Sequence, residues 1–354
     1  MAFPEDVLLS VVGYNGPQAA ARSRINLVGQ YILRRLISII PTLFLIALMG
    51  FLIMELPPGD YVDAYVLRQV SQGNTGMAAN EEDLREQFGL NEPVYVRFVT
   101  WLGDFIRGDY GYSFDQRRPV KEVIDERIGM TVLVSVCVFV ISWGIGIPLG
   151  IYSATHQYSK TDNVLTAMAF VGLGLPDFLL ALVFLVAAWG VTGQVLTGLF
   201  SPEFVTAPWS IPRLLDLLKH LWLPVLSVVI TGMAWVMRVM RGNLLDELGQ
   251  NYVMALRAKG VPERVVIWKH AVRNALHPLV ASLGQVLAYL INGFTITSAV
   301  LGLPTIQAVY LNATLSQDIF LAGTILTMIG FLVLIGTLIA DILLAWLDPR
   351  IRYN

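Results

Sequence analysis

The chain has 354 residues, of which 55% are hydrophobic and 14% charged, and its 24 basic and 26 acidic side chains give a formal net charge of −2. Soluble globular proteins carry about 45–50% apolar and about 25% charged residues. The composition therefore excludes a disordered tail and a collagen-like fibre, and the charge excludes a nucleic-acid binder. One cysteine, Cys137, excludes a disulfide framework and a cysteine-rich zinc site. An integral membrane protein is the class that remains.

Six apolar stretches are long enough to cross a bilayer as helices. A crossing takes about 20 residues, because every backbone N–H and C=O must be bonded within the segment. The stretches cover residues 31–54, 131–154, 164–189, 221–240, 279–300 and 320–347. They are continuous apolar runs rather than the alternating segments of a β-barrel. The predicted fold class is an all-α integral membrane protein with six transmembrane helices.

The spans divide the chain into an N-terminal extension (1–30), a first transmembrane helix (31–56), an outer segment (57–129), five further helices (130–347) and a tail (348–354). The extension does not resemble a secretory signal peptide, because the apolar run 7–12 is too short and Glu5 and Asp6 stand where basic residues are expected. Lys and Arg number 14 on the side of both termini and 10 on the other. The positive-inside rule therefore predicts that the extension and the tail are cytoplasmic.

The outer segment 57–129 is predicted to be a small helical subdomain. Asn80 suits the cap of a helix that begins with acidic residues and ends near Gly89. A second helix is expected to begin near Pro93, with apolar residues at three- and four-residue steps: Val94, Phe98, Trp101, Leu102 and Phe105. Its aromatic and acidic side chains suit a docking surface, although a lid without a partner is an alternative.

The segment between spans four and five, residues 241–277, is predicted to form a helical corner. Gly260 suits the C-cap of one short helix, and Pro262 suits the first turn of the next, which is expected to run to Leu276. Small side chains at Ala255 and Ala258 let another backbone approach closely. Arg257 and Lys259 project from the end of the first helix. An ordinary basic loop explains the charges but not this spacing.

This corner carries a resemblance to a known family. The stretch from Tyr252 to Pro278 resembles the coupling loop of ABC-importer permeases, in the dipeptide/oligopeptide/nickel branch. Further landmarks are similar in the same order along the chain: 31–36, 56–60, 88–90, 108–113, 146–150 and 347–352. The chain departs from the family pattern at Met254, where the general motif has Glu. It departs again at 301–307, where the family reads Phe-x-x-Pro-Gly-Leu-Gly.

The resemblance implies a permease of the type I importer fold with a helical insertion between spans one and two. It further implies a second homologous permease, two ATPase subunits that carry ATP and Mg, an extracytoplasmic solute-binding protein, and a bacterial or archaeal inner membrane with its lipid. No cofactor is expected on this chain. The residues expected to couple to the ATPases are Tyr252, Ala255, Arg257, Ala258, Lys259, Gly260 and Pro262. Peptides are the default solute, with nickel chelates, opines and oligosaccharides as alternatives.

Polar residues within the spans are candidates for the translocation path. Gln285, Tyr289 and Asn292 share one face of span five, where they line either the path or a hydrogen-bonded seam between helices. Asp177, after Pro176 in span three, either contacts the solute or pairs with nearby backbone or water at a kink. Asp341 in span six is expected to pair with Arg34 or Arg35.

Two other classes of function compete with an ABC permease. A stand-alone ion-coupled carrier predicts internal repeats with helices broken at matching places, and no such repeat is evident. An enzyme needs a catalytic cluster, but the sequence has no Gly-x-x-x-x-Gly-Lys-Ser/Thr loop, no His-Glu-x-x-His motif and no metal-ligand spacing among its four His residues. A transport subunit without catalytic residues is therefore the prediction.

Overall fold

A computed structural model describes residues 37–52, 62, 66, 83, 85, 86, 91–113 and 115–347 of the chain. The side chains of residues 291, 292 and 345–347 are not described. The predicted N-terminal extension, the tail 348–354 and most of the helix expected between Asn80 and Gly89 lie outside the described residues.

The described part of the chain is built almost entirely of helices. In chain order they are α1 (Ile37–Leu52), α2 (Val94–Arg107), α3 (Val120–Thr155), α4 (Lys160–Gly174), α5 (Asp177–Thr192), α6 (Ile211–Leu248), α7 (Asn251–Ala258), α8 (Glu263–Val265), α9 (Val272–Ala275), α10 (His277–Ala281), α11 (Leu283–Asn292), α12 (Thr295–Val300), α13 (Ile306–Leu315) and α14 (Ile319–Leu347). A π-helical segment, Val266–Ala271, connects α8 to α9. Two short antiparallel strands, β1 (Tyr112–Ser113) and β2 (Arg118–Pro119), form a hairpin between α2 and α3.

Several helices are long and apolar enough to cross a membrane. Four qualify singly within the described residues, namely Val120–Thr155, Ile211–Leu248, Leu283–Val300 and Ile319–Leu344. The pair α4 and α5 qualifies together as a fifth, and α1 is a shorter apolar helix. The prediction of an α-helical integral membrane protein is confirmed for this part of the chain.

The third predicted span is not the continuous helix 164–189 that its apolar run indicated. α4 and α5 meet at an angle of 100°. Leu175, between them, has the extended backbone φ −99°, ψ 128°. The cause is Pro176, whose ring clashes with a helical conformation in the residue before it. The break turns Asp177 into the first residue of a new helix.

Other boundaries also differ from the prediction, including span four, which was predicted as 221–240 and is observed as α6, Ile211–Leu248. α3 begins at Val120, well before the predicted residue 131, because its first turns bury Val120, Val123 and Ile124 against α13 and α14. Span five, predicted to run unbroken from 279 to 300, contains the short helices α10, α11 and α12, of which α11 and α12 together form the candidate span Leu283–Val300. The helix expected from Pro262 to Leu276 contains the π-helical segment, for which the sequence offers no separate signal.

The centre of the fold is the close approach of α3 and α6. A Cβ atom placed on Gly146 would lie 2.8 Å from the Cβ of Val236, and one on Gly150 would lie 2.7 Å from the backbone oxygen of Met237. Real Cβ atoms do not come this close, so glycine is required at both positions for the two backbones to pack.

The predicted helix near Pro93 is present as α2 and packs on α1. Phe98 and Trp101 are buried against Phe51 and Ala47 of α1. The rings of Phe98 and Phe51 are 5.4 Å apart in an edge-on arrangement, which aromatic quadrupoles favour. Gly108 ends the helix with φ 84°. The apolar face predicted for this helix therefore covers the first apolar helix of the chain.

Candidate functional site

The corner between α7 and α8 has the geometry that Gly260 and Pro262 predict. Gly260 has φ 74°, in the left-handed region. Its N–H donates to the carbonyl of Arg257 at 2.9 Å, and the N–H of Val261 donates to that of Leu256 at 3.2 Å. This pair of hydrogen bonds is a Schellman motif, which ends a helix and reverses the chain. Pro262 stands one residue before α8, as its N-cap.

An ion pair closes the two arms of the corner. The guanidinium of Arg257, on α7, donates to both carboxylate oxygens of Glu263, on α8, at 2.6 and 3.1 Å. This hydrogen bonding holds the pKa of Glu263 below its usual value. Both side chains are about half exposed, so the pair fixes geometry more than it adds stability.

A polar cluster ties the corner to the end of α6. The hydroxyl of Tyr252 donates to Glu247 at 2.6 Å, and the amide of Asn274 donates to Glu247 at 3.3 Å and to the oxygen of Tyr252 at 3.2 Å. Burial, together with the hydrogen bond to Glu247, raises the pKa of Tyr252 to about 12. Three elements, α6, α7 and α9, are joined through these three side chains.

Apolar packing continues the attachment into the helix pair at the centre of the fold. Ala271, Val272 and Ala275 are buried together with Met240 and Leu244 of α6. The amide of Asn243 also donates to the carbonyl of Ala275 at 3.2 Å. The corner therefore cannot move without moving α6, which packs on α3.

The outer surface of the corner is open. Ala255, Ala258, Arg257, Lys259 and Gly260 are exposed, whereas Val253 on the opposite face of α7 is fully buried. Two larger apolar side chains near this surface are also exposed, Met254 by 54% and Trp268 by 58%. Small, basic and apolar groups in one exposed place form a surface to which another protein can bind closely.

A cavity of about 310 Å³ lies among α3, α4, α6 and the helices of span five. Gln285 and Tyr289, two of the three residues predicted to share a polar face, line it together with Ser142 and Thr231. Most of the remaining wall is apolar, with Trp143 and Trp235 as its largest members. Residues of the chain's central helices thus enclose a space with a few polar groups. The side chain of Asn292 lies outside the described residues.

Asp177 lies next to this cavity and is held by Tyr289. The hydroxyl of Tyr289 donates to Oδ2 of Asp177, across 112 residues of sequence. The other carboxylate oxygen, Oδ1, is buried and accepts no hydrogen bond. Asp177 therefore pairs with a side chain of span five rather than with nearby backbone. Asp341 is expected to pair with Arg34 or Arg35, and both of these arginines lie outside the described residues.

Sequence reasoning missed a clamp that joins α3, α4 and α6. Arg241 donates to both oxygens of Asp162 at 2.9 Å, and Ser153 donates to the same carboxylate. Asp162 is 1% exposed, and its buried carboxylate accepts hydrogen bonds from several donors, which stabilises the ion pair. Because 79 residues separate the two partners, no local pattern connects them.

Comparison with known families gives two matches. A family described as "Binding-protein-dependent transport system inner membrane component" matches residues 146–353. A second, described as "Binding-prot-dependent transport system membrane comp, N-term", matches residues 28–135. Together they account for most of the chain, including the corner, α2 and the cavity-lining residues of α4, α6 and span five.

Individual relatives are similar along almost their full lengths. The oligopeptide transport system permease protein AppB of Bacillus subtilis (strain 168) is 34% identical over 331 residues, which cover 91% of this chain and 99% of AppB. The probable peptide ABC transporter permease protein y4tP of Sinorhizobium fredii is 30% identical, with 92% and 100% covered. The inner membrane ABC transporter permease protein YejB of Escherichia coli O157:H7 is 29% identical, with 92% and 99% covered.

Proposed function

This chain belongs to the family of binding-protein-dependent transport system inner membrane components, and from that premise we propose how its parts carry out transport. It is a permease subunit of an ABC importer, a multi-pass inner membrane protein that works with other transporter components. It is not an enzyme, and ATP is hydrolysed on separate subunits. Since AppB and y4tP are named as oligopeptide and peptide permeases, we propose a peptide as the solute.

The observation that carries the mechanism is the corner formed by α7 and α8. It is exposed on its outer face and yet joined to α6 by the Tyr252–Glu247–Asn274 cluster and by buried apolar side chains. A surface with these two properties can bind an ATPase and transmit its motion into the membrane helices. We propose that Tyr252 and Pro262 hold the corner's shape, while Ala255, Ala258 and Lys259 contact the ATPase.

The cavity lined by Gln285 and Tyr289 is the proposed place of passage through this subunit. Its polar groups can exchange hydrogen bonds with a peptide backbone, and its apolar wall can shelter side chains. Asp177 and Asn292 are proposed to lie along the same path. The ATP-bound and ATP-free states of the ATPases must bind different conformations of the permease, since only differential binding can shift its equilibrium.

The assembly proposed around the chain has two halves. A second, homologous permease supplies the other half of the path, and two ATPase subunits bind one corner each. The chain crosses the membrane six times with both termini in the cytoplasm, and the segment 57–129 forms an extracytoplasmic helical subdomain. That subdomain, which includes α2, is proposed to contact the solute-binding protein.

Reconstitution tests the function and separates it from an ion-coupled carrier. The complete set of subunits is placed in proteoliposomes, and uptake of a labelled peptide is measured with ATP inside, or with an imposed proton or sodium gradient and no ATP. The expected result is uptake that requires ATP, the ATPases and the binding protein. Uptake by this chain alone, driven by a gradient, would overturn the proposal.

A further inference from the structure

A second cavity, of about 220 Å³, lies between α4 and α6. Its lining shares no residue with the cavity around Gln285. Arg238 and Arg241 line it from α6, three residues apart and therefore on one face of that helix. Thr166 and Phe170, four residues apart on α4, form the opposite wall. The site is thus built by two helix faces and contains two cations.

Arg238 is the cation in this cavity that lacks a carboxylate. Its guanidinium lies over the ring of Phe170 at 5.1 Å, and among the described residues it has no ion pair or hydrogen bond. The cation–π contact fixes the position of the side chain but leaves its N–H donors available. Five donors in a planar fork are suited to the oxygens of a phosphate or carboxylate.

Arg241 closes the other side of the cavity and is already oriented. Its Nε and one terminal nitrogen bind the two oxygens of Asp162 at 2.9 Å. This pairing neutralises one charge but holds the guanidinium at the cavity wall, where its side chain remains 24% exposed. Lys160, at the start of α4, is exposed and adds a further positive charge at this end of the helix. The balance of the named groups is positive, so the cavity favours an anion.

The position of the cavity along the helices indicates which anion. Arg238 and Arg241 stand where the apolar part of α6 ends, before the helix continues to Leu248 and the corner. Basic side chains at such a boundary reach the level of lipid headgroups. Beside the arginines, the wall consists of Phe170, Ala169 and Met237, whose apolar side chains suit an acyl chain. A free phosphate would use the cations but would have no use for the apolar wall.

We propose that this cavity binds the headgroup phosphate of an anionic phospholipid, with its acyl chain along α4. The recognition chemistry is a phosphate anion between two guanidinium groups, as in other basic pockets between membrane helices. A lipid bound there would stabilise the packing of α4 against α6, directly beside the Asp162–Arg241 clamp. The corner lies beyond the end of α6, so that one helix connects the lipid site to it.

Lipid binding to the purified complex of this chain with its partner subunits tests the proposal. Binding of phosphatidylglycerol and of phosphatidylcholine is measured by native mass spectrometry for the wild type and for Arg238→Gln. The matched control is Lys121→Gln, which removes a basic side chain from the first turn of α3, a helix that does not line this cavity. Arg238→Gln is expected to weaken phosphatidylglycerol binding about fivefold, since one basic residue near a membrane surface contributes about that factor. Lys121→Gln should match the wild type, and phosphatidylcholine binding should not change.

Two further measurements complete the test. In the wild-type complex, a photoactivatable phosphatidylglycerol should label peptides that contain Phe170 or Met237, which keeps the proposal testable if a variant fails to fold. Equal binding of the two lipids, an unchanged Arg238→Gln variant, or labelling only elsewhere would overturn it. Inorganic phosphate is added as a competitor, and displacement of the lipid at equal concentration would make this a free-anion site and also overturn it. None of these results depends on whether the complex transports peptides.

Discussion

Gly260 shows at the scale of one residue how a backbone conformation sets the shape of the corner. Its φ of 74° is unfavourable for residues with a Cβ atom, at roughly 1–2 kcal/mol for the left-handed region. A Cβ atom added there would meet nothing within 4 Å. The requirement for glycine is therefore conformational, with no steric contribution from neighbouring side chains.

A pair of substitutions isolates this conformational requirement. Gly260→Val is expected to reduce both the amount of ATPase that co-purifies with the chain and the rate of transport, because a β-branched residue resists the left-handed conformation. Gly260→Asn is the matched control, since asparagine tolerates that conformation. This variant should retain most of the ATPase co-purification and most of the transport rate. Equal loss in the two variants would mean that the exposed glycine surface, rather than the turn, is what matters.

The Asp177–Tyr289 hydrogen bond is the second feature at this scale. Tyr289→Phe leaves the carboxylate without its donor, and we expect it to destabilise the protein by about 1–2 kcal/mol. Combined with Asp177→Asn, the same change should cost less, because the charge that needed the donor is gone. Thermal unfolding of the two single variants and the double variant in detergent measures this coupling. Strict additivity would show that the two side chains do not interact.

At the scale of elements, Asp318 connects the β-hairpin to α14. Its carboxylate is fully buried and accepts hydrogen bonds from the hydroxyl of Ser113 at 2.6 Å and from the N–H of Asp115 at 3.2 Å. Its second oxygen accepts the N–H of Leu321 at 3.1 Å, which caps the first turn of the helix. One acid thus fixes the hairpin, and with it the start of α3, to the last helix.

A pH dependence follows from the burial of Asp318. Burial raises its pKa above the ordinary value, so the folded protein holds this proton at pH values where the unfolded chain has released it. Its contribution to stability is therefore greatest below about pH 4 and falls as pH rises through the raised pKa. The difference between the unfolding midpoint of the wild type and that of Asp318→Asn should therefore decrease as the pH is raised from about 4 to 7.

The matched control for that measurement is Asp125→Asn. It removes an exposed carboxylate near the start of α3, the part of that helix that Asp318 holds through the hairpin. The control separates the burial of Asp318 from the general loss of one negative charge. A difference between wild type and Asp318→Asn that stays constant from pH 4 to pH 7 would contradict the account of the buried acid.

The elements that could be predicted from sequence are those with a local cause. The face of α2 follows from residues at helical spacing, and the end of α7 follows from Gly260, so both are present as expected. Pro176 gives a local signal for a kink, but its size of 100° depends on how α4 and α5 each pack on α6. The early start of α3 was not predicted from the sequence, because charged residues stand among its buried residues and lower the apolar signal of the stretch.

Contacts between distant segments were beyond sequence reasoning. Gln285 and Tyr289 could be placed on one face of a helix, yet the cavity they line is closed by α3, α4 and α6. The partner of Asp177 lies 112 residues away, and the partner of Arg241 lies 79 residues away. Such pairs depend on the relative packing of whole helices, which a single sequence does not specify.

At the scale of the whole molecule, the corner and the cavity are connected through one helix. α6 carries Gly232, Trp235 and Val236 in the wall of the cavity and ends beside the corner, where Glu247 joins Tyr252. Movement of the corner therefore reaches the cavity through a rigid element packed on α3. This connection predicts that the nucleotide state of the ATPases controls access to Gln285.

The most direct measurement is the labelling rate of Gln285→Cys in the assembled complex, in a background with Cys137→Ser. A small hydrophilic thiol reagent is applied with and without ATP, and Leu279→Cys, at a fully buried position nearby, serves as the control. Gln285→Cys is expected to react, at a rate that changes with ATP, while Leu279→Cys does not react. If Gln285→Cys stays unreactive in every nucleotide state, or reacts at the same rate in all of them, the cavity is not part of an ATP-controlled path.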